Sequence, residues 1–234
     1  SEGQTNKNEF LLVWTTTPWT LPANIAVAVD EKIDYALVDN GAGKFWVAKD
    51  LVENIFGGQH KVVKTVKGEK LVGLIYSFAF DDLERVKEVA EKNPDTFHTV
   101  IATDERIMPI TTQDGTGLVH TAVSAGQEDF KLGQKLGLPL IEVIGEDAAY
   151  LEGLGEFSGQ NAKKNPRVIL DYLVNQDKSL REQFSKSFGR WVFKILPYKH
   201  KYPTCWRCKT ELVWRVVDEW YISMEKLRKP LEEI

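Results

Sequence analysis

Cysteine, methionine and histidine are scarce: the 234-residue chain holds two Cys, two Met and four His. Two cysteines cannot make a disulfide framework, and a compact fold of this length removes roughly 70% of the unfolded chain's surface from water, so no such framework is needed. Long hydrophobic runs are also lacking. Nothing approaches the roughly 20 apolar residues of a membrane span. The opening SEGQTNKNEF is polar and has no apolar signal core. These absences predict a soluble, cytoplasmic chain with no membrane partner. GxGxxG, GxSxG and HExxH are missing, and Gly43-Lys44 is followed by Phe45, which is no phosphate loop. Cys205 and Cys208 form a single CxxC, whose meanings in a reducing compartment are a metal half-site, a redox pair or coincidence. Two thiolates do not close a tetrahedral zinc site.

What is present is unevenly distributed. The net charge of −4 argues against a general nucleic-acid binder, but residues 181–215 carry nine Lys/Arg against Glu182 and Glu211, giving +7 there and −11 elsewhere. Arg181, Lys186, Arg190, Lys194, Lys199, Lys201, Arg207, Lys209 and Arg215 are interleaved with eight aromatics, among them Phe188, Trp191, Phe193, Tyr198, Trp206 and Trp214. Such a segment suits a surface that neutralises phosphates and stacks bases, and equally a core strand pair with solvated lysines.

Short apolar or alternating runs bounded by Gly, Pro, Asn and Asp predict strands at Phe10–Trp14, Ile25–Val29, Tyr35–Val38, Phe45–Ala48, Val62–Val66, Thr99–Ala102, Gly117–His120, Ile141–Ile144, Trp191–Leu196 and Leu212–Val217. Helical spacing predicts helices over Asp81–Asn93 and Asn165–Asn175, and a third from Glu128 to Leu136, with acids in its first turn and Gly137 as its stop. Strands outnumber helices without βαβ alternation or repeats. The expected fold is therefore mixed α/β (α+β), a β-barrel-like core of short strands with a few peripheral helices. The weakest internal boundary falls at Gly153–Lys164, where Gly, Ser, Asn and Lys cluster.

Two segments hold the candidate chemistry. Trp14-Thr15-Thr16-Thr17-Pro18-Trp19-Thr20-Leu21-Pro22-Ala23-Asn24 offers four hydroxyls, two indoles and an amide within eleven residues. Pro18 and Pro22 bar it from a central strand, so a ligand-facing loop is expected, with a self-capping turn as the alternative. Gly115-Thr116-Gly117-Leu118-Val119-His120-Thr121-Ala122 followed by Gly126-Gln127-Glu128-Asp129-Phe130 brings His120 near Asp129. That carboxylate either caps its helix or faces a pocket and binds an ammonium group. His120, Ser124 and Asp129 crowd within ten residues and do not suggest a nucleophilic triad. No metal site is supported at His120, Glu128 and Asp129, and His60, His98 and His200 have no ligand partner at metal spacing.

WTTTPWTLPAN together with GTGLVHTA and GQEDF resembles the editing (connective peptide 1, CP1) domain of the isoleucyl-tRNA synthetases, in the class I aminoacyl-tRNA synthetase family. The sister families for valine and leucine carry Thr-Thr-Arg-Pro with an acidic residue next, where this chain has Thr15-Thr16-Thr17-Pro18-Trp19. The resemblance continues through YPTCWRCKT to Trp220, and neither HIGH nor KMSKS, the ATP-site signatures, is present. It implies an editing fragment with residues 10–180 as hydrolytic core and 181–234 as a basic aromatic segment leading back to a missing catalytic domain. The implied reaction is hydrolysis of mischarged valyl-tRNA(Ile), and of valyl-adenylate in the parent enzyme. The partners are the acceptor end of that tRNA and the rest of the parent, with the fragment itself a monomer.

By the same resemblance Thr15, Thr16 and Thr17 hold the terminal adenosine and ester and place the water. Trp14, Trp19, Thr20 and Asn24 shape the pocket, Asp129 binds the substrate ammonium, and His120 excludes the extra methylene of isoleucine. No cofactor is implied for editing. Zinc belongs only to the parent, where Cys205 and Cys208 would meet a second CxxC. Val123-Ser124-Ala125-Gly126 and Glu128 depart from the family's commoner residues and bear on the pocket rim. The rival readings are an RNA-binding module without hydrolysis, and an editing domain that prefers another small aliphatic ester.

Overall fold

Short apolar or alternating runs separated by Gly, Asn and Asp turns become strands in a computed structural model that describes residues 9–58, 60–184, 190–220, 222 and 224–233. In chain order the elements are β1 (Glu9–Leu11), β2 (Ala26–Val29), β3 (Asp34–Asp39), β4 (Lys44–Ala48), α1 (Val52–Phe56), β5 (Lys61–Lys67), α2 (Glu84–Lys92), β6 (Thr99–Ala102), β7 (Val119–Thr121), α3 (Gln127–Leu136), α4 (Val168–Phe184) and α5 (Glu225–Glu232). One sheet has the order β1-β4-β3-β5, and the other β6-β2-β7. β1 runs parallel to β4 and β6 parallel to β2, while β3 pairs antiparallel with β4 and β5, and β7 with β2. The fold is mixed α/β as expected. Its two sheets stay open, and no closed barrel forms among the described residues.

β2 explains the layering. Its four residues are buried on both faces. Ala26 and Ala28 point into the largest core cluster, with Trp19, Phe80, Leu154 and Phe157. Val27 and Val29 point the other way, onto Tyr35, Leu37 and Trp46 of the larger sheet. The period-2 alternation of a strand thus joins two cores through one backbone. β3 repeats the device, with Ala36 and Val38 facing a third, smaller cluster behind it.

Several elements differ from the sequence expectation. Pro18–Ala23 is a 3-10 helix rather than an open loop, because Pro18 sits at its first turn, where no N–H is required and a fixed φ helps. No strand forms at 141–144, 191–196 or 212–217; the first has only an isolated bridge from Ile144 to Tyr150. The helix expected over Asn165–Asn175 begins later and runs further, as α4. Gly153–Lys164 is no boundary, since Leu154, Phe157 and Ala162 are fully buried in the main core.

The run 191–196 lacks strand partners because a side chain supplies the acceptors. Asp177, buried on α4, accepts the backbone N–H groups of Arg190 (2.8 Å), Trp191 (2.9 Å) and Val192 (2.9 Å). Trp191 then packs edge-on against Phe78, and Phe193 against Phe45 and Phe56. None of the described helices is long and apolar enough to cross a membrane.

Asp177→Ala should lower the thermal unfolding midpoint by about 5–15 °C and open residues 190–200 to protease, because three N–H groups lose a charged acceptor at once. Asp177→Asn, which keeps one carbonyl oxygen, should recover part of the loss. An unchanged midpoint in Asp177→Ala would mean that these bonds anchor nothing.

Candidate active site

The threonine segment enters from β1 and turns into the 3-10 helix, and its polar groups bond first to one another. The backbone N–H of Thr17 donates to Thr15 Oγ1 (3.1 Å), which also lies 3.4 Å from Thr17 Oγ1. Thr20 Oγ1 donates to the Thr17 carbonyl at 2.9 Å, and Thr20 N–H donates to the same oxygen at 3.0 Å. Asn24 ends the helix and opens β2, opposite which β7 places His120 in register with Val27.

These groups form one relay. Asn24 Nδ2 donates to the Ala26 carbonyl (3.1 Å), which fixes the amide, and its other proton meets His120 Nδ1 at 2.7 Å. His120 Nδ1 therefore accepts, and the ring proton sits on Nε2, 3.0 Å from Thr20 Oγ1. Tyr76 OH completes the chain by donating to Asn24 Oδ1 at 2.5 Å. Burial pushes His120 down to about 4, with the Thr20 bond opposing and neighbouring His98 reinforcing. The imidazole is neutral at neutral pH and both its nitrogens are engaged, so it is a fixed wall and not a proton carrier.

A cavity of about 1670 Å³ lies beside the relay, lined by Trp14, Thr15, Thr16, Asn24, Tyr76 and His120, with the 190–198 segment as its far wall. Five residues singled out from the sequence thus reach one cavity. Thr17 supports it through Thr15 and Thr20. Trp19 and Thr20 are buried: Trp19 packs in the main core, its carbonyl taking the Tyr150 hydroxyl at 3.1 Å, so both residues shape the site from behind.

Asp129 is separate from that lining. The first position of α3 is capped by Gly126 without a side-chain bond, and Asp129 instead accepts the Ala122 N–H at 3.0 Å, two residues beyond His120. Desolvation pushes its carboxyl up to about 6, against the opposing Ala122 bond. Ser124 donates its hydroxyl to the Ile141 carbonyl, so His120, Ser124 and Asp129 share no hydrogen bond and form no triad.

The glycines of Gly115-Thr116-Gly117 have specific jobs. Gly115, at φ +78°, leaves its missing Cβ 3.0 Å from the Trp14 ring, and a Cβ on Gly117, at φ +77°, would lie 2.3 Å from that of Ala48. The glycine turn therefore seats Trp14 at the cavity mouth and locks β7 against β4. Sequence reasoning missed Tyr76, which lies 52 residues from Asn24, and His98, whose ring donates through Nε2 to the Asn24 carbonyl at 3.2 Å. Neither stands in a motif, and only the fold reveals them.

The basic aromatic window divides in two. Trp191, Val192 and Val213 pack on the main core, while Tyr198, Trp206 and Trp214 expose their rings, Arg207 stacking over Trp206 at 4.8 Å. Lys186 and Phe188 lie outside the described residues. Cys205 and Cys208 share a tight turn in which Cys205 N–H donates to Thr210 O and Lys209 N–H to Cys205 O. Two thiols alone do not fit a closed zinc site, and no group of three His, Cys, Asp or Glu side chains able to hold a metal occurs among the described residues.

No family model matches the chain. It is similar to the isoleucine–tRNA ligase of Pyrococcus furiosus, 38% identical over 96% of this chain and 20% of that protein. The isoleucine–tRNA ligases of Saccharolobus islandicus and Clostridium novyi are each 36% identical over 97% of this chain and 20% of theirs. The chain thus spans about one fifth of the length of the curated relatives it matches. Among solved structures, the P. knowlesi cytosolic leucyl-tRNA synthetase editing domain aligns at a TM-score of 0.41 and 14% identity, over 55% of this chain and 51% of that one.

Asp129 gives a stability prediction of definite sign. Its folded value near 6 exceeds the ordinary 3.8, so the fold favours the protonated form, and ionisation removes stability as pH rises through that window. Asp129→Asn keeps an oxygen for Ala122 and removes the charge. It should be more stable than wild type by about 1–2 kcal/mol above pH 6 and equal to it near pH 4. Thermal unfolding at the two pH values checks this.

Proposed function

Because the chain is homologous over nearly its whole length to one fifth of the isoleucine–tRNA ligases, we propose that it is their hydrolytic proofreading domain. It removes valine from mischarged tRNA(Ile) and, within the whole cytoplasmic synthetase, acts on valyl-adenylate. The problem it answers is physical. One methylene in an apolar pocket is worth about 1–3 kcal/mol, a limit for which isoleucine against valine is the standard example, so binding alone separates the two poorly. A second, smaller site that hydrolyses the wrong ester raises the accuracy.

The convergence of Thr15, Thr16, Asn24 and His120 on one cavity carries this reading. The hydroxyls of Thr15 and Thr16 hold the ester of the terminal adenosine and orient a water for attack on its carbonyl carbon. Hydrogen-bond donors placed at the developing oxyanion make a separate nucleophile unnecessary. Water's oxygen bonds to the acyl carbon, the ester C–O bond breaks, and the proton passes to the departing ribose oxygen. His120 limits the depth available to the amino-acid side chain, and its neutrality suits contact with an isopropyl group. Asp129, outside the cavity lining but bonded to Ala122 two residues beyond His120, is the group we assign to the substrate ammonium, ionised above about pH 6. No step passes through a metal.

A second reading, an RNA-binding module without hydrolysis, is favoured by the exposed rings and cations of the C-terminal segment. In either case binding to tRNA should weaken steeply with salt.

Deacylation of valyl-tRNA(Ile) and isoleucyl-tRNA(Ile), at low salt with chelator present, tests the proposal: valine should be released selectively. Tight tRNA binding with neither ester cleaved would favour the module. His120→Ala should raise isoleucyl-tRNA cleavage about tenfold or more, and unchanged discrimination would remove His120 from that role. Asp129→Ala should retain tRNA binding while deacylation falls about a hundredfold, and wild-type KM should rise as pH drops below about 6. Purified protein should contain less than stoichiometric zinc and keep its activity in chelator.

A further inference from the structure

Tyr76 stands at the cavity wall outside every sequence motif. Its backbone N–H pairs with the His98 carbonyl (3.0 Å), and its ring stacks on the His98 imidazole with centroids 4.7 Å apart. Both side chains hold the same residue. Tyr76 OH reaches Asn24 Oδ1 at 2.5 Å, and His98 Nε2 reaches the Asn24 carbonyl at 3.2 Å. Asn24 in turn is the donor to His120 Nδ1.

We propose that Tyr76 is a positioning residue for specificity, which orients the Asn24 amide so that His120 is locked as the Nε2–H tautomer with its ring held at one depth in the cavity. This rests on the reading of the cavity as the editing site. The hydroxyl has one proton to give and spends it on Asn24 Oδ1, which leaves only the amide nitrogen for His120 and for the Ala26 carbonyl. Nδ1 must then accept, Nε2–H points to Thr20 Oγ1, and the Thr20 hydroxyl is turned onto the Thr17 carbonyl. The chain of donors therefore runs in one direction, from Tyr76 to the threonine segment. Burial keeps the Tyr76 hydroxyl protonated far above its ordinary range, so the direction does not reverse at any pH the protein meets. Without the hydroxyl, Asn24 Oδ1 loses its donor, and the amide and imidazole gain freedom to rock. A ring that rocks is a looser sieve.

Tyr76→Phe tests this, with Tyr35→Phe as the control. Tyr35 OH donates to the buried Gly117 carbonyl at 2.7 Å and accepts the Asp30 N–H at 3.0 Å, and it has no place in the relay, so its removal carries a structural cost at least as large. Nitrogen-15 NMR of the histidine rings in the whole chain should show wild-type His120 as Nε2–H. In Tyr76→Phe the His120 Nδ1 and Nε2 signals should shift towards each other, while Tyr35→Phe leaves them in place. The ratio of kcat/KM for valyl-tRNA over isoleucyl-tRNA should fall about fivefold in Tyr76→Phe through faster isoleucyl cleavage, and hold in Tyr35→Phe. The proposal is overturned by an Nδ1–H tautomer in wild type, by unshifted His120 signals in Tyr76→Phe, or by an equal loss of selectivity in both variants. If wild type cleaves neither ester, the editing reading fails, and the ring signals by themselves decide whether Tyr76 sets His120.

Discussion

Burial of β2 on both faces is the constraint from which the site follows. Ala26 and Ala28 fit only the tighter packing around Trp19 and Phe80, and Val27 and Val29 fill the space over Tyr35 and Trp46. A slip of one residue would exchange the two sets and leave holes on one side and clashes on the other. The register with β7 is fixed for the same reason, and with it the position of His120 opposite Val27. Asn24, immediately before Ile25 and β2, inherits its place from that strand. The polar relay is thus built on an apolar alignment that tolerates no drift.

The chemistry of the cavity is that of neutral donors and acceptors held in fixed directions. His120 spends both nitrogens on Asn24 and Thr20, and its low proton affinity comes first from burial, with His98 reinforcing it. Asp129 lies in a poorly solvated position that raises its carboxyl, against the opposing backbone N–H groups of Ala122 and of Asp129 itself. A carboxylate kept at such a cost to folding is consistent with the proposed ammonium-binding role, since an incoming cation would restore the solvation that the fold withheld. Gly126 permits this arrangement: a Cβ there would stand 2.0 Å from Asp129 Oδ2.

The C-terminal half of the cavity wall depends on a different principle. Residues 190–192 have no strand to pair with, and Asp177 replaces the missing ladder by offering two carboxylate oxygens to three consecutive N–H groups. The aromatic side chains that follow are thereby aimed inward, Trp191 at Phe78 and Phe193 at Phe45. The basic window is then neither purely core nor purely surface. Its first part closes the cavity, and its later rings, Trp206 and Trp214, remain exposed beside Arg207 and Arg215.

The sequence by itself determined the local elements whose period is strong and the residues whose chemistry is concentrated. The strands β2 to β6, the helices α2 and α3 with the Gly137 stop, and the threonine segment with His120 all follow from spacing and side-chain type within a dozen neighbours. Only the tertiary structure decided the rest, because it depends on partners far apart in the chain. Whether an apolar run such as 191–196 becomes a strand depends on an available edge, and a buried carboxylate on α4 took that place instead. Whether the sheets close depends on how β1, β5, β6 and β7 find or fail to find one another, which no local pattern encodes. The tautomer of His120 is settled by Asn24, 96 residues away, and the Asn24 amide is held between the Ala26 carbonyl and the Tyr76 hydroxyl, the latter 52 residues away. A hydrogen bond fixes direction only once both groups are buried together, and that burial is a property of the fold.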